Sequence, residues 1–178
     1  MIGTRWTALA ALLGACGMSV GTDADTGPGV RDTVVTVDEG SFPCITELSP
    51  VRRFYVGNLL GDLEATLDVA RAPQGRAYPP GSLLQLVPFE AMVKREAGFS
   101  PETDDWEFFF LAAGPEGARI EDRGTTGVRN AFNGDCAACH TAAAGDWDWV
   151  CEQDHGCVDL PLTEEAIREV QAADPRCP

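Results

Sequence analysis

The chain is poor in positive charge: 13 Lys and Arg residues stand against 28 Asp and Glu, a formal charge of −15 over 178 residues. Lys94 is the single lysine, and the arginines are scattered rather than gathered into a stripe. That pattern excludes a nucleic-acid surface and an electrostatic platform for anionic lipid, and it favours solubility and a cationic redox partner. Long apolar runs are missing too. None approaches the roughly 20 residues needed to cross a bilayer. No internal repeat marks a solenoid or a propeller.

The N-terminus reads as an export signal. Arg5 supplies the positive start, residues 8–15 form a short Ala/Leu stretch, and Leu13-Gly14-Ala15-Cys16 resembles the bacterial lipoprotein cleavage box. The alternative is an ordinary cleavable signal in which Cys16 is incidental. Residues 17–32 are rich in Gly, Thr and Asp and have nothing to bury, as a tether off a membrane should be. The expected organisation is a lipoprotein-type signal over 1–15, a flexible tether over 16–32 and one domain over 33–178. The protein is then exported, periplasmic, and held to the membrane through lipid at Cys16.

Seven cysteines are an odd number for an exported chain until they are sorted. Cys16 goes to lipid, and Cys136 with Cys139 belongs to the motif Cys136-Ala137-Ala138-Cys139-His140. Cys44, Cys151, Cys157 and Cys177 remain, enough for two disulfides in an oxidising compartment. Three pairings are open. Closeness along the chain favours Cys151 with Cys157, which leaves Cys44 to join Cys177 and tie the two ends.

A Cys-x-x-Cys-His sequence is the attachment signal for one covalent haem c per chain. Its spacing puts both sulfurs on one side of a turn, where each can form a thioether, and the next residue offers an imidazole to the iron. Cys136 and Cys139 are therefore the expected cofactor-binding residues and His140 the metal ligand. Two rivals are weaker. A zinc site needs a second close pair, and His155 with Cys157 is the only offer. A thioredoxin-like pair should open a long helix after a strand, whereas a Gly-Asp turn precedes this motif and Gly145 soon follows it.

Along the domain, residues 34–37 are β-rich and 51–56 read as a strand. Asn58 is a candidate cap for a helix with the stripe Leu60, Leu63, Leu67 and Ala70, ended by Pro73 and Gly75. Tyr78-Pro79-Pro80-Gly81 is a turn into a strand over 82–87; Pro88 marks a bulge or an edge, and 89–94 continue as strand. Residues 106–112 are a strand, handed by Gly114-Pro115-Glu116-Gly117 to a partner over 118–123. A Trp/Cys-rich loop follows the haem motif, then an amphipathic helix over 163–173 that buries Ile167 and Val170. Strands first, with helices at the ends, predict an α+β fold with an antiparallel sheet.

Arg53-Phe54-Tyr55-Val56-Gly57-Asn58, Tyr78-Pro79-Pro80-Gly81-Ser82, Asp105-Trp106-Glu107-Phe108-Phe109 and a late Cys-x-x-Cys-His together resemble the cytochrome P-460 family, which includes the β-sheet cytochromes c′. The resemblance spans residues 33–144 and leaves the cysteine-bearing tail as a disulfide-tied C-terminal extension. It implies a c-type haem seated against the sheet, with His140 on one side and an open or water-occupied position on the other. It also implies either electron transfer or binding of a ligand such as nitric oxide, or else oxidation of hydroxylamine by a haem cross-linked to lysine. In that family the linking lysine lies in the strand after the Pro-x-Gly turn. Gln85 and Leu86 stand there in this chain, and Lys94 lies farther along. The balance therefore tips to binding or electron transfer, with the enzyme as the alternative and the oligomeric state open, a dimer included.

Several residues carry a second reading. Lys94 is a candidate cross-linking or distal residue, against a solvated strand end beside Arg95 and Glu96. Glu107 is a candidate distal acid or base, against a surface carboxylate. His155 and Met92 are candidate sixth ligands, against a hydrogen-bonded loop histidine and a core thioether. The run Phe108-Phe109-Phe110 reads as core, with one phenyl a candidate wall of the distal pocket.

Overall fold

The computed structural model describes residues 33–152 and 154–178. The expected export signal over 1–15 and tether over 16–32, with Cys16, lie outside them. Among the described residues no helix is long and apolar enough to cross a membrane.

Six strands form one antiparallel sheet in sequence order: β1 (Ser49–Val51), β2 (Phe54–Asn58), β3 (Ser82–Gln85), β4 (Glu90–Lys94), β5 (Trp106–Gly114) and β6 (Gly117–Gly124). Among the described residues four short α-helices surround it: α1 (Leu63–Ala70), α2 (Cys136–His140), α3 (Ala144–Trp147) and α4 (Glu164–Ala172). The molecule is α+β, as the order of its elements implies.

Period-two alternation assigns the side chains to two cores. On β5, Trp106 and Phe108 join Phe54, Val56, Leu84 and Met92 on one face, where α1 and residues 128–150 cover them. Phe109 and Leu111 face the other way, against Leu83, Ala91, Val93 and the incoming segment with Val35, Val37 and Phe42. The Phe42 and Phe109 rings meet at 5.1 Å. Because both faces of the sheet are covered, β5 reads as a nearly continuous apolar run.

Four local expectations are corrected. Residues 34–37 form no strand; Val35 and Val37 are buried and Val34 exposed, but this backbone joins no ladder. The single strand over 51–56 is a hairpin, because Arg52 adopts φ 50° and turns β1 back on β2. Pro88 lies in the turn between β3 and β4 rather than inside one strand, so 82–85 and 90–94 lie side by side as antiparallel neighbours. Asn58 organises the loop instead of capping α1: its Oδ1 accepts from the Leu60 and Asp62 amides, and α1 begins at Leu63. The C-terminal helix forms as expected with Thr163 as its cap, burying Ile167 and Gln171 and leaving Val170 half-buried.

The turn at Tyr78-Pro79-Pro80-Gly81 needs its glycine. Gly81 has φ 85°, and a Cβ there would lie 2.8 Å from Leu60.

Both disulfides are present, Cys44–Cys177 and Cys151–Cys157. The first joins the start of the domain to its end; the second closes a small loop directly after α3.

Candidate functional site

The motif folds as a single helical turn. Asp135 caps α2, its Oδ1 accepting from the Ala138 amide at 2.9 Å, and the Cys136 amide donates to Val128 at 3.0 Å. Residues at i, i+3 and i+4 share one helix face, so Cys136, Cys139 and His140 are presented together. All three line a cavity of about 440 Å³. Its floor is the sheet, through Phe54, Leu84, Met92 and Phe108, and residues 157–164 run along its rim.

His140 is held by its Nδ1, 2.6 Å from the Trp149 carbonyl oxygen. A carbonyl only accepts, so Nδ1 carries the proton and Nε2 keeps its lone pair. Burial pushes this imidazole below its ordinary pKa, against the opposing pull of the Trp149 bond, so it is neutral at pH 7. The Phe108 ring packs 5.2 Å from it.

Cys136 and Cys139 are unpaired, whereas the other four described cysteines are bridged. Burial, with a contribution from the charges of Glu90 and Asp135, pushes the Cys136 thiol up to about 12. A redox-active Cys-x-x-Cys needs the reverse, a thiol acidified at the start of a long helix, and α2 has only 5 residues. Zinc fares no better. Among the described residues, the one trio of ligand-type side chains with converging donor atoms is Cys44, Asp174 and Cys177. Its cysteines are bonded to each other, and its carboxylate is paired with Arg176.

The remaining candidates fall in different places. Met92 lines the cavity and is buried among Phe54, Leu84 and Phe108. His155 does not line it; its Nδ1 lies 2.6 Å from the Val150 carbonyl, its ring stacks on Trp147 at 3.7 Å, and it sits beside the Cys151–Cys157 bridge. Glu107 stands on the opposite face of the sheet from His140, buried and clamped by Arg95 and Arg123. Lys94 is on the same face as His140 but outside the cavity wall. It is buried rather than solvated, and its Nζ lies 2.6 and 2.9 Å from the Asp148 carboxylate oxygens.

Sequence reasoning missed Trp149, whose carbonyl holds the histidine, because a backbone carbonyl leaves no mark in sequence, and it missed Asp148, the partner of Lys94. The isolated lysine was the available signal, since a lone Lys on an apolar strand calls for a partner. It also missed the fastening of the cavity rim, where Arg52 pairs with Glu152 and Arg53 with Glu164 at 3.1 Å. Comparison with family models, curated proteins and solved structures finds no match for this chain.

Proposed function

We propose that this chain is an exported mono-haem c-type cytochrome of the cytochrome P-460 kind, with haem c joined to Cys136 and Cys139 and its iron taken by His140. The observation that carries the reading is the state of these three side chains. Two thiols are left free beside a neutral imidazole whose Nδ1 is occupied by Trp149, and all three line one cavity floored by apolar side chains. The donor set suits the group: two thiols for thioethers and one available Nε2 for the metal.

When bound, haem supplies an iron that exchanges one electron or takes a small ligand. The protein's part is separate. Cys136 and Cys139 fix the group's position, Trp149 orients the imidazole, and Phe54, Leu84 and Phe108 keep water from the enclosed side. Lys94 is engaged with Asp148 away from the cavity wall, which supports electron transfer or nitric-oxide binding over hydroxylamine oxidation by a lysine-linked haem. Met92 and His155 both have other roles in packing and hydrogen bonding, which supports a five-coordinate iron. The reading includes export, a lipid anchor at Cys16 and a redox partner protein.

The test is the mass and spectrum of protein made with a haem-attachment system. The expected product carries one haem that survives acid–acetone extraction, has a broad high-spin reduced spectrum and shifts promptly with carbon monoxide. A mass equal to the bare polypeptide overturns the proposal.

A further inference from the structure

We propose that Lys94 and Asp148 are positioning residues that aim the Trp149 carbonyl at the His140 imidazole and so set that imidazole's strength as a ligand. The starting point is backbone strain. Asp148 and Trp149 are consecutive non-glycine residues in the left-handed region, with φ 47° and 67°. That conformation crowds the Cβ of any residue but glycine and persists where the surroundings over-determine it.

The surroundings do so here. The Asp148 carboxylate receives the Lys94 ammonium at 2.6 and 2.9 Å and the Tyr78 amide at 2.7 Å. Trp149 donates its own amide to Ala143 at 3.2 Å and its indole N–H to Asp104 at 3.0 Å. The reversal so fixed leaves the Trp149 carbonyl 2.6 Å from His140 Nδ1.

Stability alone is a poor reason for this ion pair. Both partners are buried, and a buried pair gives little or no net gain over apolar residues of the same volume. Its location explains more, since the pair anchors the one carbonyl that holds the histidine. A partner that accepts from Nδ1–H makes Nε2 the better donor, and outer partners of this sort tune the metal.

The experiment uses Lys94→Met and Asp148→Asn, with Asp174→Asn as the control. The asparagine at 148 keeps an acceptor for the Tyr78 amide and serves where Lys94→Met does not fold. The control removes the charge from another buried ion pair, Asp174 with Arg176, that lies off the cavity wall. The first readout rests on the proposed function: the iron–imidazole stretching band of the reduced haem protein, by resonance Raman, at equal haem content. It is expected to move to lower frequency in both variants and to stay in place in the control.

The second readout is independent of haem. The chain has two histidines, so nitrogen-15 histidine spectra of the haem-free protein at alkaline pH resolve both rings. The wild-type His140 ring is expected as its Nδ1–H tautomer, the variants' as a mixture, with the His155 ring unchanged as internal reference. Wild-type protein that takes up no haem removes the functional proposal and leaves this second readout standing. Folded variants with an unmoved band and an unmoved tautomer overturn the positioning role and reduce the pair to packing, as does an equal shift in the control.

Discussion

Arg52, on the turn between β1 and β2, reaches across 100 residues of chain to pair with Glu152, which lines the cavity just ahead of its rim. The same guanidinium donates to the Ala70 carbonyl at 2.7 Å, so it bridges the end of α1 to the rim. Arg53 does the equivalent at the far end of the rim, through Glu164. Arg52→Ala should therefore loosen the rim more than the fold. We expect a stability loss of about 1 kcal/mol, as for a half-exposed pair, together with faster carbon monoxide association by flash photolysis. Unchanged association would show that the rim does not gate the cavity.

Coordination can be read from two variants. Met92→Leu conserves volume and should cost less than about 1.5 kcal/mol while leaving the reduced spectrum high-spin. His155→Ala should leave it unaltered too, because that ring stacks on Trp147 outside the cavity wall. Conversion of a sharp low-spin spectrum to high-spin by either change would identify a sixth ligand and make the protein a plain electron carrier.

Gly75 approaches α3 so closely that a Cβ there would lie 1.4 Å from the Asp146 carbonyl oxygen. Overpacking against backbone costs about 1–3 kcal/mol. Gly75→Ala should thus displace the segment that leads to Trp149, lowering the urea midpoint and disturbing the Soret band together. A lower midpoint with an unshifted Soret band would mean that α3 moves independently of the histidine's anchor.

Acid should act through Asp174. Burial alone would raise this carboxyl, but Arg176 and the Ile45 amide outweigh it and hold the group below its ordinary value. A depressed folded-state pKa contributes stability above the unfolded value, near 3.9 for aspartate, and that contribution fades as pH falls through the lower, folded value. Asp174→Asn should be less stable than wild type at neutral pH, with the gap shrinking below about pH 4. Urea midpoints measured across that range check it; a gap that is flat with pH would assign the loss to packing.

Lipid attachment has a direct test. Growth with labelled fatty acid should tag the wild-type protein and leave Cys16→Ala untagged. Recovery of untagged, freely soluble wild-type protein would remove the anchor.

Legibility in the sequence followed the range of the interactions. The β5–β6 hairpin was readable from Gly114-Pro115-Glu116-Gly117 because a turn is a local device, and α4 was readable from Thr163 and its apolar stripe. The hairpin at Arg52 was not, since that turn adopts a positive φ without Gly, Asn or Asp to announce it. Lys94 and Glu107 were misjudged for one shared reason. Alternation tells which way a side chain points but not whether that face is covered, and both faces are: one by residues 33–48 and the other by the segment that carries Asp148. That Cys136, Cys139 and His140 are presented together was legible because their i, i+3, i+4 spacing puts them on one helix face. The carbonyl that steers His140 was not, because every residue has one.

The Cys44–Cys177 bridge spans 133 residues, nearly all of the described domain. A peptide bond cut anywhere inside that span leaves both fragments covalently joined. Nicked protein should therefore migrate as one species until a reductant is added. Under reduction, a cut between Cys44 and α2 should release an N-terminal piece that lacks Cys136, Cys139 and His140 and that is colourless if haem c is held as proposed.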